Sequence, residues 1–277
     1  MTLIQPDLEA FALLVESLTP WRDQAVIIGG WAHRLHRLHA SAQVLDYPPL
    51  TTLDADVALP SQLKVDGQDI YQRLTKNGFQ AEFLGDHKPT ATHYHLTIEG
   101  AGGFYAEFFT PLIGSTQGRG GKSKGTTEVG GVVSQNLRYV DLLLYAPWTV
   151  VLSKASGFPF DQNRTVLVAN PVSFVAQKVL VHSKRSREDR AKDTLYIHDT
   201  LEAFGARLAD FRADWQEKIG PQLNPKARRL VEAAPEALFE KITDAIREAA
   251  RIVQARTLSP ERIREVCKFG MEQIFRS

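Results

Sequence analysis

The chain has 277 residues, 43% hydrophobic and 23% charged, a length that suits one large or two modest domains and a composition that excludes disorder, collagen and a coiled-coil rod. Its 33 basic and 32 acidic side chains leave a formal charge of +1, which excludes an overall electrostatic grip on nucleic acid but not a local basic patch. The single cysteine, Cys267, excludes an internal disulfide and a Cys-rich zinc module. Nothing near Met1 has the basic start and apolar run of a signal peptide, and no stretch approaches the ~18 apolar residues of a membrane span. The expectation is a cytoplasmic protein with no membrane partner.

The first part of the chain mixes helices and strands. Leu8–Leu18 carries apolar residues at helical spacing, stopped by Pro20. Ala25–Ile28 is a short buried-strand run ended by Gly29-Gly30, and Trp31–Ala42 reads as a helix. Thr52–Leu59 alternates as a strand does. A helix is expected over Gln68–Lys76, then strands over Phe79–Leu84, His93–Ile98 and Phe104–Phe109, the last two joined by a turn at Glu99–Gly103. Segment 114–131 is glycine-rich, either a loop or a long hairpin tip. Short strands follow at Val132–Val133 and Thr165–Val168, and 139–154 has no clear pattern. From Asn170-Pro171 onward the pattern is helical only: Val172–His182, Asp189–Phe204, Leu208–Ile219, Pro225–Ala233, Glu236–Ala255 and Pro260–Phe275. The fold class is therefore α+β. A mixed sheet with flanking helices to residue 168 precedes an all-helical domain over 169–277.

Three features of the first domain bear on chemistry. Gly29-Gly30 at a strand–helix junction is either a tight turn or a place where helix N–H groups meet an anion. Thr52-Leu53-Asp54-Ala55-Asp56 puts two carboxylates on one strand face, roughly 6.6 Å apart at ~3.3 Å rise per residue. Such a pair can converge on cations about 3.5–4 Å apart, the arrangement used for in-line phosphoryl displacement; otherwise it is an exposed edge. Aspartate is a poor strand former, and Leu53, Ala55 and Val57 supply the opposite, apolar face. Glu107 is the one acid in Phe104–Phe109, so it faces solvent or supplies a third ligand.

Two other features are weaker. His33, His36 and His39 do not share one helix stripe, and surface histidines explain them better than a metal site with His93 or His95. Gly121-Lys122-Ser123 lacks a P-loop frame, because Thr116 stands where the first glycine belongs.

Together these residues resemble the nucleotidyltransferase superfamily that includes DNA polymerase beta, and more closely its AbiEii/AbiGii-type branch with the MenT toxins. The matching motifs are Gly29-Gly30-Trp31-Ala32, Thr52-Leu53-Asp54-Ala55-Asp56, Lys178 on the helix opened by Pro171, and Lys192-Asp193. The Gly30-to-Asp54 gap exceeds the usual spacing, which implies an inserted loop near 42–50, and the arginine common before the Thr-x-Asp-x-Asp segment is replaced by Pro49-Leu50-Thr51. The resemblance implies transfer of NMP from an NTP to an acceptor hydroxyl, with Asp54, Asp56 and Glu107 holding Mg²⁺ or Mn²⁺ and acting as the catalytic acids. It further implies nucleotide contacts from Gly29, Gly30, Thr52, Lys178, Arg190, Lys192 and Asp193. Lys178 otherwise reads as a snorkelling side chain, and the five basic residues between Lys184 and Lys192 as a solvated face. The helical domain would close the cleft and select the acceptor: a tRNA end, or a small hydroxylated molecule such as an aminoglycoside. Toxin membership would bring a cognate antitoxin protein. The rivals are a catalytically idle binding module of the same fold and a glycosyltransferase using Asp-x-Asp, for which residue 54 leaves too little preceding chain.

Overall fold

The computed structural model describes residues 5–85, 90–98, 103–114, 125–252 and 255–276. Contacts divide the chain into two compact units, one running to His39 and resuming over Leu50–Ala169, the other comprising Ala40–Pro49 and the chain from Asn170. No helix among the described residues is long and apolar enough to cross a membrane.

The first unit contains α1 (Pro6–Ser17), β1 (Val26–Ile28), α2 (Gly29–His36), β2 (Asp54–Ala58), α3 (Ile70–Lys76), β3 (Gln80–Leu84), β4 (Ala91–His95), β5 (Tyr105–Pro111), β6 (Thr126–Val129), β7 (Val132–Leu137), α4 (Val140–Leu144), β8 (Trp148–Leu152) and β9 (Arg164–Val168). The strands form one mixed sheet in the order β3-β4-β5-β2-β1-β9-β8, with the β6–β7 hairpin joined to β5 through β7. Antiparallel β1 and parallel β5 flank β2, which places β2 well inside the sheet. Gly130 and Gly131, both at positive φ, make the two-residue β6–β7 turn. Asp69 and Gln72 form a capping box on α3. The α1 helix opens on Pro6 with acids in its first turn, and its Phe11 ring stacks on the buried Trp31 of α2 at 3.9 Å.

Several boundaries differ from the sequence reading. The unpatterned stretch 139–154 holds α4 and the edge strand β8. β4 begins two residues before His93 because its ladder with β3 starts at Ala91. Most of the expected Glu99–Gly103 turn, and residues 115–124 of the glycine-rich segment, lie outside the described residues. The α2 helix starts at Gly29 and ends at His36, where the bonding tightens to Leu38 N–H to Leu35 O and His39 N–H to His36 O.

The surface-histidine expectation is corrected. His33 and His36 are 2% and 1% exposed, because the face of α2 that carries them is a packed one. His36 Nε2 lies 2.7 Å from the Ala169 carbonyl oxygen, and burial pushes its pKa down to about 4 from 6.5. The folded state therefore binds less proton than the unfolded chain between those values, and His36 costs stability as pH falls from 6.5 towards 4. At ~1.4 kcal/mol per unit the loss approaches about 3 kcal/mol. Measured by denaturant unfolding, the stability of the native protein relative to His36→Gln should fall by this amount between pH 7 and 4.5. Parallel stability curves for the two proteins would contradict it.

The second unit contains α5 (Pro171–Val181), α6 (Arg187–Ala203), α7 (Leu208–Asp214, extended by a π turn over Trp215–Ile219), α8 (Pro225–Glu232), α9 (Ala234–Phe239), α10 (Asp244–Ile252) and α11 (Pro260–Phe275). Side-chain oxygens of Asn170, Ser186, Asn224 and Ser259 cap α5, α6, α8 and α11. The expected single helix over 236–255 is two helices, α9 and α10, and the Thr243 hydroxyl accepts from Ile246 N–H where the second begins. Gly270 lets α11 close on α6, since a Cβ there would stand 2.9 Å from a Leu201 methyl. Segment 40–49 joins this unit through Gln43 N–H to the Ala203 carbonyl oxygen and the Tyr47 hydroxyl to Glu202 at 2.7 Å.

Candidate active site

The three acids that the sequence singles out share one face of the sheet. Parallel pairing sets Asp54 beside Tyr105 and Asp56 beside Glu107, while Ala55, Val57, Ala106 and Phe108 point into the core on the other face. Neighbouring strands stand about 4.8 Å apart, so Asp56 and Glu107 are direct cross-strand neighbours. Like charges so placed repel unless a cation joins them. Glu107 has a pKa raised to about 7, first by burial and then by the charge of Asp54, against a lowering by its hydrogen bond from Gln135. The Tyr105 hydroxyl is also held protonated, first by burial and then by the same acids.

β1 brings the glycine pair to the opposite side of β2. Ile28 is the register partner of Asp56, and Gly29 follows at φ +61°. A Cβ on Gly29 would sit 1.9 Å from Asp56 Oδ2, so that position needs glycine both for its backbone conformation and for the carboxylate packed on it. No side chain caps the first turn of α2, whose N–H groups start beside this carboxylate. Gly30 lies buried in that turn. The Thr52 hydroxyl donates to Asp54 Oδ1 and steadies the first acid of the motif.

Around Glu107 the structure adds residues that the sequence did not assign a role. Gln135 Nε2 donates to Glu107 Oε1 at 3.1 Å, and His93 Nε2 stands 3.0 Å from the same oxygen. The His93 ring stacks on Tyr105 at 4.2 Å. The one available signal was the spacing of His93 and His95, two residues apart on a strand and therefore on one face.

The donor chemistry fits a hard divalent cation: carboxylate oxygens on adjacent strands, and a glycine cradle against one of them. The acids stand at strand spacing. Among the described residues, the group whose ligand atoms converge within 4.8 Å is His198, Asp199 and Glu202 in the helical unit. Arg256 already pairs with Asp199, and Arg262 pairs with Glu202 at 3.2 Å, so the charge of those acids is balanced without an ion.

The remaining residues expected at the site lie in the helical unit. Lys178 is 5% exposed, and its ammonium pairs with Asp193 Oδ1 at 2.7 Å between the rings of Phe174 and Tyr196. Arg185 approaches the other Asp193 oxygen at 3.3 Å. Arg190 and Lys192 lie half-buried on α6, where Arg190 Nε donates to the Ser186 carbonyl oxygen at 3.4 Å.

No curated protein matches the sequence. Residues 7–220 match a family described as Nucleotidyltransferase, a span that takes in β1, the Asp-x-Asp strand, β5 and the helix carrying Lys178. With most of its length inside that match, the chain belongs to this nucleotidyltransferase family.

Proposed function

We propose that the protein is a metal-dependent nucleotidyltransferase that moves NMP from an NTP to an acceptor hydroxyl. The observation that carries the reading is the in-register set Asp54, Asp56 and Glu107 against the Gly29 cradle. Asp54 and Asp56 hold Mg²⁺ or Mn²⁺, and Glu107 completes the set and accepts the proton of the acceptor hydroxyl. When bound, the cation supplies charge neutralisation on the α-phosphate and on the attacking oxygen. The N–H groups of Gly29 and Gly30 hold phosphate oxygens at the start of α2. The acceptor oxygen–phosphorus bond forms, the bond between the α- and β-phosphates breaks, and pyrophosphate leaves. Positioning and electrostatic stabilisation account for most of the rate.

The glycine pair, the Thr-x-Asp-x-Asp strand and the Lys-Asp pair support an AbiEii/AbiGii-type assignment. That favours a tRNA end as acceptor, a small hydroxylated molecule as the alternative, and a cognate antitoxin as partner. In the helical unit Arg190, which has no carboxylate partner among the described residues, is the proposed phosphate contact. The test incubates the protein with Mg²⁺ and each labelled NTP, in turn with total RNA, with itself and with aminoglycosides, beside Asp54→Ala/Asp56→Ala. Label transferred by the native protein alone establishes the reaction and its acceptor class. Nucleotide binding that needs Mg²⁺ but gives no product with any acceptor would favour an idle binding module.

Two further results are expected. Gly29→Ala should cost about 1–2 kcal/mol in stability from the left-handed backbone alone, and should lower transfer at least ~100-fold by driving the Asp56 carboxylate off its position. Circular dichroism and a single-turnover rate check it, and an unchanged rate would contradict the cradle.

The second concerns pH. Glu107 keeps its proton to about pH 7 in the metal-free fold but only to about 4.5 when unperturbed. The contribution of Glu107 to metal-free stability therefore falls as pH rises from 4.5 to 7 and stays at the lower level above. A bound cation removes that penalty, so Mg²⁺ should raise the melting temperature more at pH 8 than at pH 5. Equal shifts at the two pH values would contradict the placement of Glu107.

A further inference from the structure

We infer that His93 and Gln135 are positioning residues for Glu107, and that together they fix which of its two oxygens faces the metal and the acceptor. The inference rests on the metal reading above.

Glu107 sits where β5 changes partners. Upstream, Tyr105 and Ala106 pair with β4; downstream, Phe109 to Pro111 pair with β7. Each neighbouring strand sends one side chain back to the carboxylate at this handover. The pairing of Tyr94 with Ala106 brings His93 alongside Glu107 on the acid face, and its Nε2 lies 3.0 Å from Oε1. Gln135, from β7, donates to the same Oε1 at 3.1 Å. A carboxylate oxygen has about two lone-pair sites, so the Gln135 amide and, in its Nε2–H form, His93 fill Oε1 and leave Oε2 as the oxygen for the cation and for the acceptor proton.

Both partners are themselves held. The His93 ring lies nearly parallel to Tyr105, 13° between planes, and its side chain is only 14% exposed against 15% for Glu107. The amide carbon chain of Gln135 leaves a strand anchored on β5 and β6. Without these donors the Glu107 carboxylate, facing two further acids one strand away, has every electrostatic reason to rotate from them. Held by both, it presents one defined oxygen, which is the condition for a ligand that must also take a proton from a substrate.

Mn²⁺ titration at pH 8, read by the electron paramagnetic resonance of the free ion, tests this in native protein, His93→Ala, His93→Gln, Gln135→Ala and Asp54→Asn/Asp56→Asn. Loss of an outer partner of a metal ligand weakens binding by roughly 10–100-fold. His93→Ala and Gln135→Ala are each expected to fall at the lower end of that range. His93→Gln, which keeps an N–H donor, should recover most of the loss. Native affinity in both alanine variants would overturn the inference. A loss in His93→Gln as large as in His93→Ala would also overturn it, because the imidazole would then be a ligand itself. Should His93→Ala not fold, the Gln135→Ala titration decides. Native-like Mn²⁺ binding by Asp54→Asn/Asp56→Asn would overturn instead the metal reading underneath.

Discussion

Asp54→Asn is expected to lower nucleotidyl transfer by about 10³-fold or more while leaving the metal-free protein at least as stable as the native one. A thousandfold corresponds to about 4 kcal/mol of lost transition-state stabilisation. The amide keeps the shape of the carboxylate and can still accept the Thr52 hydroxyl hydrogen bond, so the strand has no reason to move. What disappears is a negative charge. After burial, Asp54 is the largest cause of the raised Glu107 pKa, so removing its charge relieves repulsion in the metal-free fold. Function and stability then move in opposite directions, the pattern of a site built to hold a cation rather than to hold the fold together. Melting in the presence of a chelator and a single-turnover rate with Mg²⁺ measure the two effects. Transfer at the native rate would remove Asp54 from the mechanism, and a large drop in melting temperature would make it a structural residue.

The second large effect is expected in the helical unit. Asp193→Ala should destabilise the protein by about 3–5 kcal/mol, the cost of stranding one member of a buried ion pair. The Lys178 side chain is 6% exposed, and its ammonium lies 2.7 Å from Asp193 over the rings of Phe174 and Tyr196. With the carboxylate gone, Lys178 keeps no ion-pair partner among the described residues. Replacing both members by apolar residues of similar size, Lys178→Met/Asp193→Leu, should recover most of the loss, because neither charge then has to be taken out of water. The pair of variants also separates two roles for Lys178. If the lysine serves the buried pair, the double variant binds NTP as the native protein does. If it contacts the triphosphate, the double variant folds but loses nucleotide affinity. Denaturant melts and nucleotide titrations on the same samples decide between them.

The parts of the site legible in the sequence are those whose signal is local. Asp54 and Asp56 announce themselves because two acids alternating with Leu53, Ala55 and Val57 cannot be explained by strand propensity. Gly29-Gly30 announces a strand–helix junction, and Asn170-Pro171 announces the start of the helical part through cap chemistry that operates within a few residues. The parallel pairing of β2 with β5, which puts Glu107 beside Asp56, depends on sheet order across about fifty residues. No local pattern reports it, and Glu107 taken alone reads as a solvent-facing residue before it reads as a ligand. Gln135 carries no local signal for the same reason, and His93 carries only its spacing to His95, since each reaches Glu107 from a different strand. The histidines of α2 depart from the rule that polar residues mark a helix's outer face, since His33 and His36 are both buried. His36 is buried with a carbonyl oxygen at hydrogen-bond distance, which reduces the cost of enclosing a polar ring. The break between α9 and α10 lay under a continuous helical stripe, and only a threonine cap marked it.

The most direct test of the account follows the phosphorus. The acceptor class found to be labelled is incubated with protein, Mg²⁺ and NTP labelled at either the α- or the γ-phosphate. Attack on the α-phosphate at the Asp54, Asp56 and Glu107 site predicts that α-label becomes covalently attached to the acceptor. The same attack sends γ-label into pyrophosphate, and both outcomes vanish in Asp54→Asn. γ-Label on the acceptor, or α-label attached equally well by Asp54→Asn, would contradict it.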